Sequence, residues 1–169
     1  MILISCARNC QEEDAVVELL DRASPRLMLK TFVPFRLNRL AEAVSADLSE
    51  IYRHRFNLEI AEWRVLVTVG QRSCTAQRIA SSTRMHKTRV SRAVASLESR
   101  ELLERETGSA DARERSLRLS KPGQRIYASL IPEALQRERE ILACFTAQQR
   151  QQFLAALSRL EEALGLVDG

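Results

Sequence analysis

Six basic side chains, Arg72, Arg78, Arg84, Lys87, Arg89 and Arg92, stand between positions 72 and 92, and no Asp or Glu stands among them. Over the wider segment Arg72 to Arg118 there are 11 Lys or Arg against 6 Asp or Glu, whereas the rest of the chain holds 15 against 16, so the whole net charge of +4 resides in one segment. A localised cationic surface suits a polyanion, because each neutralised phosphate releases condensed counterions. Thr88 and Ser91 lie between the cations, and arginine is shaped for bidentate pairing with guanine. Catalytic chemistry has no comparable set of residues. The two histidines, His54 and His86, are far apart, and neither a zinc-protease helix motif nor a glycine-rich phosphate loop occurs. The chain therefore reads as a non-enzyme with no cofactor. Its cysteines, Cys6, Cys10, Cys74 and Cys144, are too few and scattered for a secreted disulfide framework, and they read as reduced thiols.

The elements that must hold these residues follow from periodicity. After Pro34, the apolar positions Leu37, Leu40, Ala41, Val44, Leu48, Ile51 and Tyr52 recur every three or four residues, which predicts a long amphipathic helix ending near Phe56-Asn57. A second helix, Ile60 to Val69, carries Trp63, Leu66 and Val67, and Gly70 is expected to stop it in a left-handed turn. Thr75 to Ser82 and His86 to Arg100 predict two short helices around a three-residue turn, the spacing of a helix-turn-helix. Ile79 and Ala80 face inward from the first, and Val90, Val94 and Leu97 from the second. Residues 102–107 and 116–119 read as strands, with the turn-forming, arginine-bearing tip Gly108 to Arg115 between them, so a β-hairpin wing follows the helix-turn-helix. Ser120 and Pro122 open a helix reaching about Cys144 with a kink at Pro132. Thr146 to Gln149 is a capping box before a last helix bearing Phe153, Leu154, Leu157, Leu160 and Leu164. An accessory arm, with a short helix over Asp14 to Arg22, precedes all of this.

Taken in order, "EWRVL", "AQRIASSTRMHKTRVSRAVASLESRELLER" and "DARERSLRLSKPGQRI" resemble the MarR family of winged helix-turn-helix regulators over roughly residues 32–165. The resemblance implies a mainly α fold with a small β-wing, divided into an arm (1–31), a helical dimerisation region (32–57 and 121–169) and a winged helix-turn-helix (58–120). It implies a homodimer that places two recognition helices on a palindromic double-stranded DNA operator. Gln77, Arg84, His86, Lys87, Thr88, Arg89, Ser91 and Arg92 are the expected contacts from the helix-turn-helix. Arg113 at the wing tip is expected in the minor groove, with Asp111 orienting the hairpin and Arg115 as an added candidate. Two positions depart from the family pattern. Glu101 stands where glycine is usual, so a residue with a Cβ must take that turn at a cost of about 1 kcal/mol. His86 stands where an acidic cap is frequent, which predicts a weaker cap.

Many relatives are repressors released by a small aromatic carboxylate, and that likeness makes Arg36, Arg39, His54, Trp63 and Arg64 candidate ligand contacts, an aromatic wall with guanidinium partners. A thiol-based redox sensor using Cys6 and Cys10 is the alternative. A third reading, a helical scaffold for protein partners, leaves the basic segment unexplained. No apolar run reaches the ~20 residues of a membrane span, and the N-terminus MILISCARNC lacks the basic segment and cleavage site of an export signal, so a cytoplasmic protein is expected.

Overall fold

Helices make up most of the architecture, and nearly every one starts where its sequence supplies a cap. The computed structural model describes residues 26–106 and 116–166. The chain divides into two compact units, Met1–Ala43 and Val44–Gly169. In the first, Thr31 Oγ1 and the Phe32 N–H both donate to the Met28 carbonyl, forming a turn that leads into α1, Val33–Phe56. Leu27, Met28, Leu29, Phe32, Val33, Leu37 and Leu40 are exposed. The expected arm helix, Asp14 to Arg22, lies outside the described residues.

The second unit is built around α2, Ile60–Gln71. Its sequence is rich in β-branched residues that are indifferent helix formers, and burial compensates. Val65 and Leu66 are fully buried, with Ala61 and Val69 beside them. Each fully buried aliphatic side chain contributes roughly 1.5–3 kcal/mol. Around it lie α3, Ala76–Thr83, and α4, Lys87–Ser99, with Ile79, Val90, Ala93, Val94 and Leu97 turned into one core. The inward residues expected of the helix-turn-helix are thus buried, apart from Ala80, which packs at the margin of the core.

Strands β1, Leu103–Arg105, and β2, Leu117–Leu119, pair antiparallel with Leu103 opposite Leu119. Period-two alternation sends Leu103, Leu117 and Leu119 inward, leaving Glu104 and Arg118 outside. The hairpin has a third member that the sequence reading missed. Cys74 bridges to Leu117, its N–H donating to the Leu117 carbonyl at 3.2 Å and its carbonyl accepting the Leu117 N–H at 2.9 Å. This ties the base of the wing to the loop between α2 and α3.

From Ser120, whose hydroxyl accepts the Gly123 N–H at 3.1 Å, α5 runs over Lys121–Ile141 with Pro132 inside it. A 3-10 turn, Leu142–Cys144, follows, so the α-helix ends a few residues before the expected Cys144. The Thr146 capping box forms as expected and opens α6, Ala147–Ala163. Phe145 stacks on Phe153 at 5.2 Å between centroids, yet Phe153, Leu154, Leu160 and Leu164 remain exposed, as does Leu135 of α5.

Two glycines show what the backbone requires. Gly70 does not end α2 in a left-handed turn as expected. The helix continues to Gln71 and leaves through an extended Arg72. The Tyr127 ring of α5 lies against Gly70, where an added Cβ would fall 2.3 Å from Tyr127 Cε2, so the absent side chain serves helix packing. At Gly123 a Cβ would come within 2.0 Å of the Leu102 carbonyl oxygen. Conversely, Glu101 adopts φ +56° without being glycine, the strained turn expected where the family has glycine.

Gly123→Ala should therefore lower the unfolding free energy by about 2 kcal/mol or more, because a backbone oxygen cannot step aside. Glu101→Gly should raise it by about 0.5–1 kcal/mol by relieving the left-handed strain. Urea titration followed by circular dichroism measures both, and a neutral Gly123→Ala would contradict the close approach.

Candidate nucleic-acid interface

The N-terminal turn of α4 decides what this unit can bind. His86 is its cap, with Nδ1 accepting the Thr88 N–H at 3.3 Å. Thr75 caps α3 in the same manner, accepting the Arg78 N–H. With Val90, Ala93, Val94 and Leu97 fixed in the core, helical periodicity leaves Lys87, Thr88, Ser91 and Arg92 on the opposite face, all exposed. Together with Ala76, Gln77 and Ala80 of α3 they line one open hollow. The structure thus brings Gln77, Lys87, Thr88, Ser91 and Arg92 together, while Arg89 is exposed at the margin of that face. Free N–H groups and the positive end of the helix dipole at the same end add to its attraction for anions.

Arg84, Arg105 and Arg118 have internal partners. Arg84, the left-handed cap of α3 at φ +51°, donates from its guanidinium to the Gly165 carbonyl beyond α6. In the wing, Arg105 pairs with Glu98 at 2.7 Å and Arg118 with Glu104 at 3.1 Å. Glu98, Glu101 and Glu104 line a second hollow beside the start of α5 with Arg118 and Lys121, so the surface there is of mixed sign. Among the described residues, Lys87 and Arg92 on the face of α4 have no ion pair, whereas the arginines at the base of the hairpin are paired with glutamates. Asp111, Arg113 and Arg115 lie outside the described residues.

Among the candidate ligand contacts, Trp63 is half-buried and stacks on Tyr52 with centroids 5.7 Å apart and planes within 7°. One face of the indole is therefore taken. Burial pushes the Tyr52 hydroxyl above its usual pKa, partly opposed by the nearby Arg53 and Arg64 charges. Arg64 is exposed, and His54 is exposed with its Nε2 2.8 Å from the Glu50 carboxyl. Arg36 and Arg39 belong to the first unit, where Arg39 lies over the Phe35 ring. The two candidate sensing cysteines, Cys6 and Cys10, lie outside the described residues. Among the described residues no cluster of His, Cys, Asp or Glu could hold a metal ion, and no helix is long and apolar enough to cross a membrane.

A buried polar cluster had no place in the sequence reading. Glu62, 7% exposed, accepts the Glu59 N–H at 2.7 Å, takes the Ser96 hydroxyl of α4 and lies 3.6 Å from the Arg100 guanidinium. Glu59 and Glu62 form a capping box with glutamate as the cap, outside the usual Ser/Thr pattern, which is why it went unread.

Family comparison agrees with this arrangement. Residues 56–114 match the model of the MarR family. That stretch of the chain is similar to the MarR family. Its fold is similar to that of a MarR/EmrR family transcriptional regulator from Acinetobacter sp. ADP1, with 25% identity and a TM-score of 0.74, covering 83% of this chain and 100% of that one. A MarR family regulator from Silicibacter pomeroyi DSS-3 is also 25% identical, with a TM-score of 0.71 over 82% of this chain and 99% of that one. A MarR-like protein from Listeria monocytogenes, solved with a 26mer DNA, shares the fold at 18% identity, with a TM-score of 0.71 over 79% of this chain and 89% of that one. No protein of curated function matches the sequence. The Acinetobacter and Silicibacter proteins that it resembles are transcriptional regulators.

The thiols of this chain differ in environment. Burial pushes the Cys74 thiol above its ordinary pKa, against the opposing pull of Arg78 and Arg72, while Cys144 is exposed. Alkylation of the native protein at about pH 8, read by peptide mass mapping, should label Cys144 and spare Cys74 until denaturant is added, since the thiolate is the reactive form. Equal labelling of the two would contradict the burial of Cys74.

Proposed function

We propose that this chain is a cytoplasmic, homodimeric repressor that binds a palindromic DNA operator and is released by a small aromatic carboxylate. The observation carrying this reading is the exposed Lys87, Thr88, Ser91 and Arg92 face, at the N-terminal end of a helix whose other side is locked in the core. The N-terminal turn of such a helix is the part that reaches base edges in the major groove. Arg92 pairs with a base or a phosphate, Thr88 and Ser91 donate to either, and Gln77 of the preceding helix contacts the backbone. By family resemblance, Arg113 is the further DNA contact, in the adjacent minor groove.

A second copy is the partner that covers Leu135, Phe153, Leu154, Leu160 and Leu164, an apolar strip too large to leave in water. Two-fold symmetry then sets the recognition helices about one DNA turn, ~34 Å, apart. The effector contacts are the open edge of Trp63 with Arg64, an aromatic surface beside a guanidinium. Redox sensing at Cys6 and Cys10 is the competing form of control.

Binding to duplex fragments from upstream of its own gene, followed by fluorescence anisotropy, should weaken by roughly 10³-fold or more between about 50 and 200 mM salt. Arg92→Ala should cost about 1–3 kcal/mol on the preferred sequence and less on others if Arg92 reads a base. Equal loss on every sequence would reduce Arg92 to a phosphate contact, and salt-insensitive binding would rule out the operator reading. Aromatic carboxylates should release the fragment, with Arg64→Ala blunting the response. Release by peroxide that is reversed by a thiol reductant and lost in Cys6→Ser/Cys10→Ser would favour the redox reading instead.

A further inference from the structure

At the far end of α4, away from the proposed base-reading face, Arg100 reaches across to α1. Its two terminal nitrogens donate to two successive backbone carbonyls, Nη2 to Phe56 and Nη1 to Asn57, each at 2.9 Å. These are the last carbonyls of α1, at a C-terminus closed by a left-handed Asn57 (φ +49°) and a Leu58 N–H donating to the Tyr52 carbonyl at 2.9 Å. Such carbonyls have no partner within their own helix, and a cation at this end is favoured by the helix dipole. The same guanidinium lies 3.6 Å from Glu62 of α2, whose carboxylate also accepts from Ser96, one turn before Arg100 on α4. Three helices therefore meet at one set of directional contacts, buried on the Glu62 side.

We propose that Arg100, with Ser96 and Glu62, is the joint that fixes the angle of the recognition helix on the end of α1 and thereby sets the half-site spacing the dimer accepts. The inference rests on the operator reading above. The apolar contacts of Val90, Val94 and Leu97 are non-directional and tolerate small rotations, whereas a planar guanidinium bonded to two fixed carbonyls does not. The lever is long. The 13 residues of α4 span about 20 Å. A swing of about 10° at the Arg100 end displaces the Lys87 end by roughly 3.4 Å, the rise of one base pair. Arg100 touches no base in this arrangement. It is a positioning residue, and what it controls is geometry between subunits rather than affinity at one half-site.

The test uses the full-length dimer and three palindromic duplexes built from the sequence the wild type prefers, one with its own half-site spacing and two changed by one base pair either way, plus a duplex with a single half-site. The wild type should favour its own spacing. Arg100→Gln removes both guanidinium donors and the charge but leaves Glu62 its bonds to Ser96 and the Glu59 N–H. In this variant the ratio of affinities between native and altered spacing should fall about fivefold or more, while single half-site affinity stays within about twofold of wild type. Ser96→Ala should shift the ratio in the same direction by less. If Arg100→Gln does not fold, Arg100→Lys, which keeps the charge and loses the fork, is judged by the same ratios. A folded, dimeric variant with an unchanged spacing ratio, or one that loses single and paired sites equally, overturns the joint. A wild type that binds no duplex overturns the operator reading, and the joint with it.

Discussion

A carboxylate kept out of water at the start of α2 is the contact on which the rest of this unit depends. Glu62 is nearly covered, and donors reach it from several places: the Glu59 N-cap amide, the Ser96 hydroxyl and, at 3.6 Å, the Arg100 guanidinium. Those donors come from different elements. Satisfying one side chain therefore aligns the start of the central helix, the second half of the recognition helix and, through the carbonyls that Arg100 also holds, the end of α1. Apolar burial supplies most of the stabilisation in this core, but burial alone does not specify a rotation, and the polar cluster does.

Function follows from what that alignment leaves outside. Once one side of α4 is committed to the core, Lys87, Thr88, Ser91 and Arg92 have nowhere to go but solvent, beside Gln77 of α3. The fold also withdraws cations from competition. Arg105 and Arg118 are paired with carboxylates of α4 and β1, and Arg84 is spent on a carbonyl at the end of the chain. Surface pairs of this kind add little stability, on the order of 0–1 kcal/mol each, but they offset the positive charge at the base of the hairpin. A polyanion meeting this surface is thus steered toward the helix face rather than the base of the hairpin.

Much of this was legible in the sequence because it is carried by local patterns. The Val90, Val94 and Leu97 stripe, the Thr146 capping box, the Ser120 cap with Pro122 after it, and the alternation in Leu117-Arg118-Leu119 each involve residues within a few positions of one another, and each appears where it was expected. The readings that failed involve partners distant in the chain. Gly70 looked like a helix terminator because a lone glycine after an apolar run usually is one. Its reason is the Tyr127 ring, which no local pattern announces. Cys74 is strand-like through a single residue, too short to show alternation. The contacts of Glu62 with Ser96 and Arg100 join separate helices, and a glutamate N-cap hid the one local clue. Family resemblance gave the expected DNA contacts, whereas the Glu62, Ser96 and Arg100 cluster came from geometry.

Hydroxyl-radical footprinting of the purified protein on its preferred duplex tests the central claim most directly, because it reads symmetry, groove and spacing at once. Two equivalent protected patches on one face of the helix, centred about one turn apart, are the outcome required by a dimer presenting two α4 helices. A single patch, or protection spread evenly along the duplex, would contradict it.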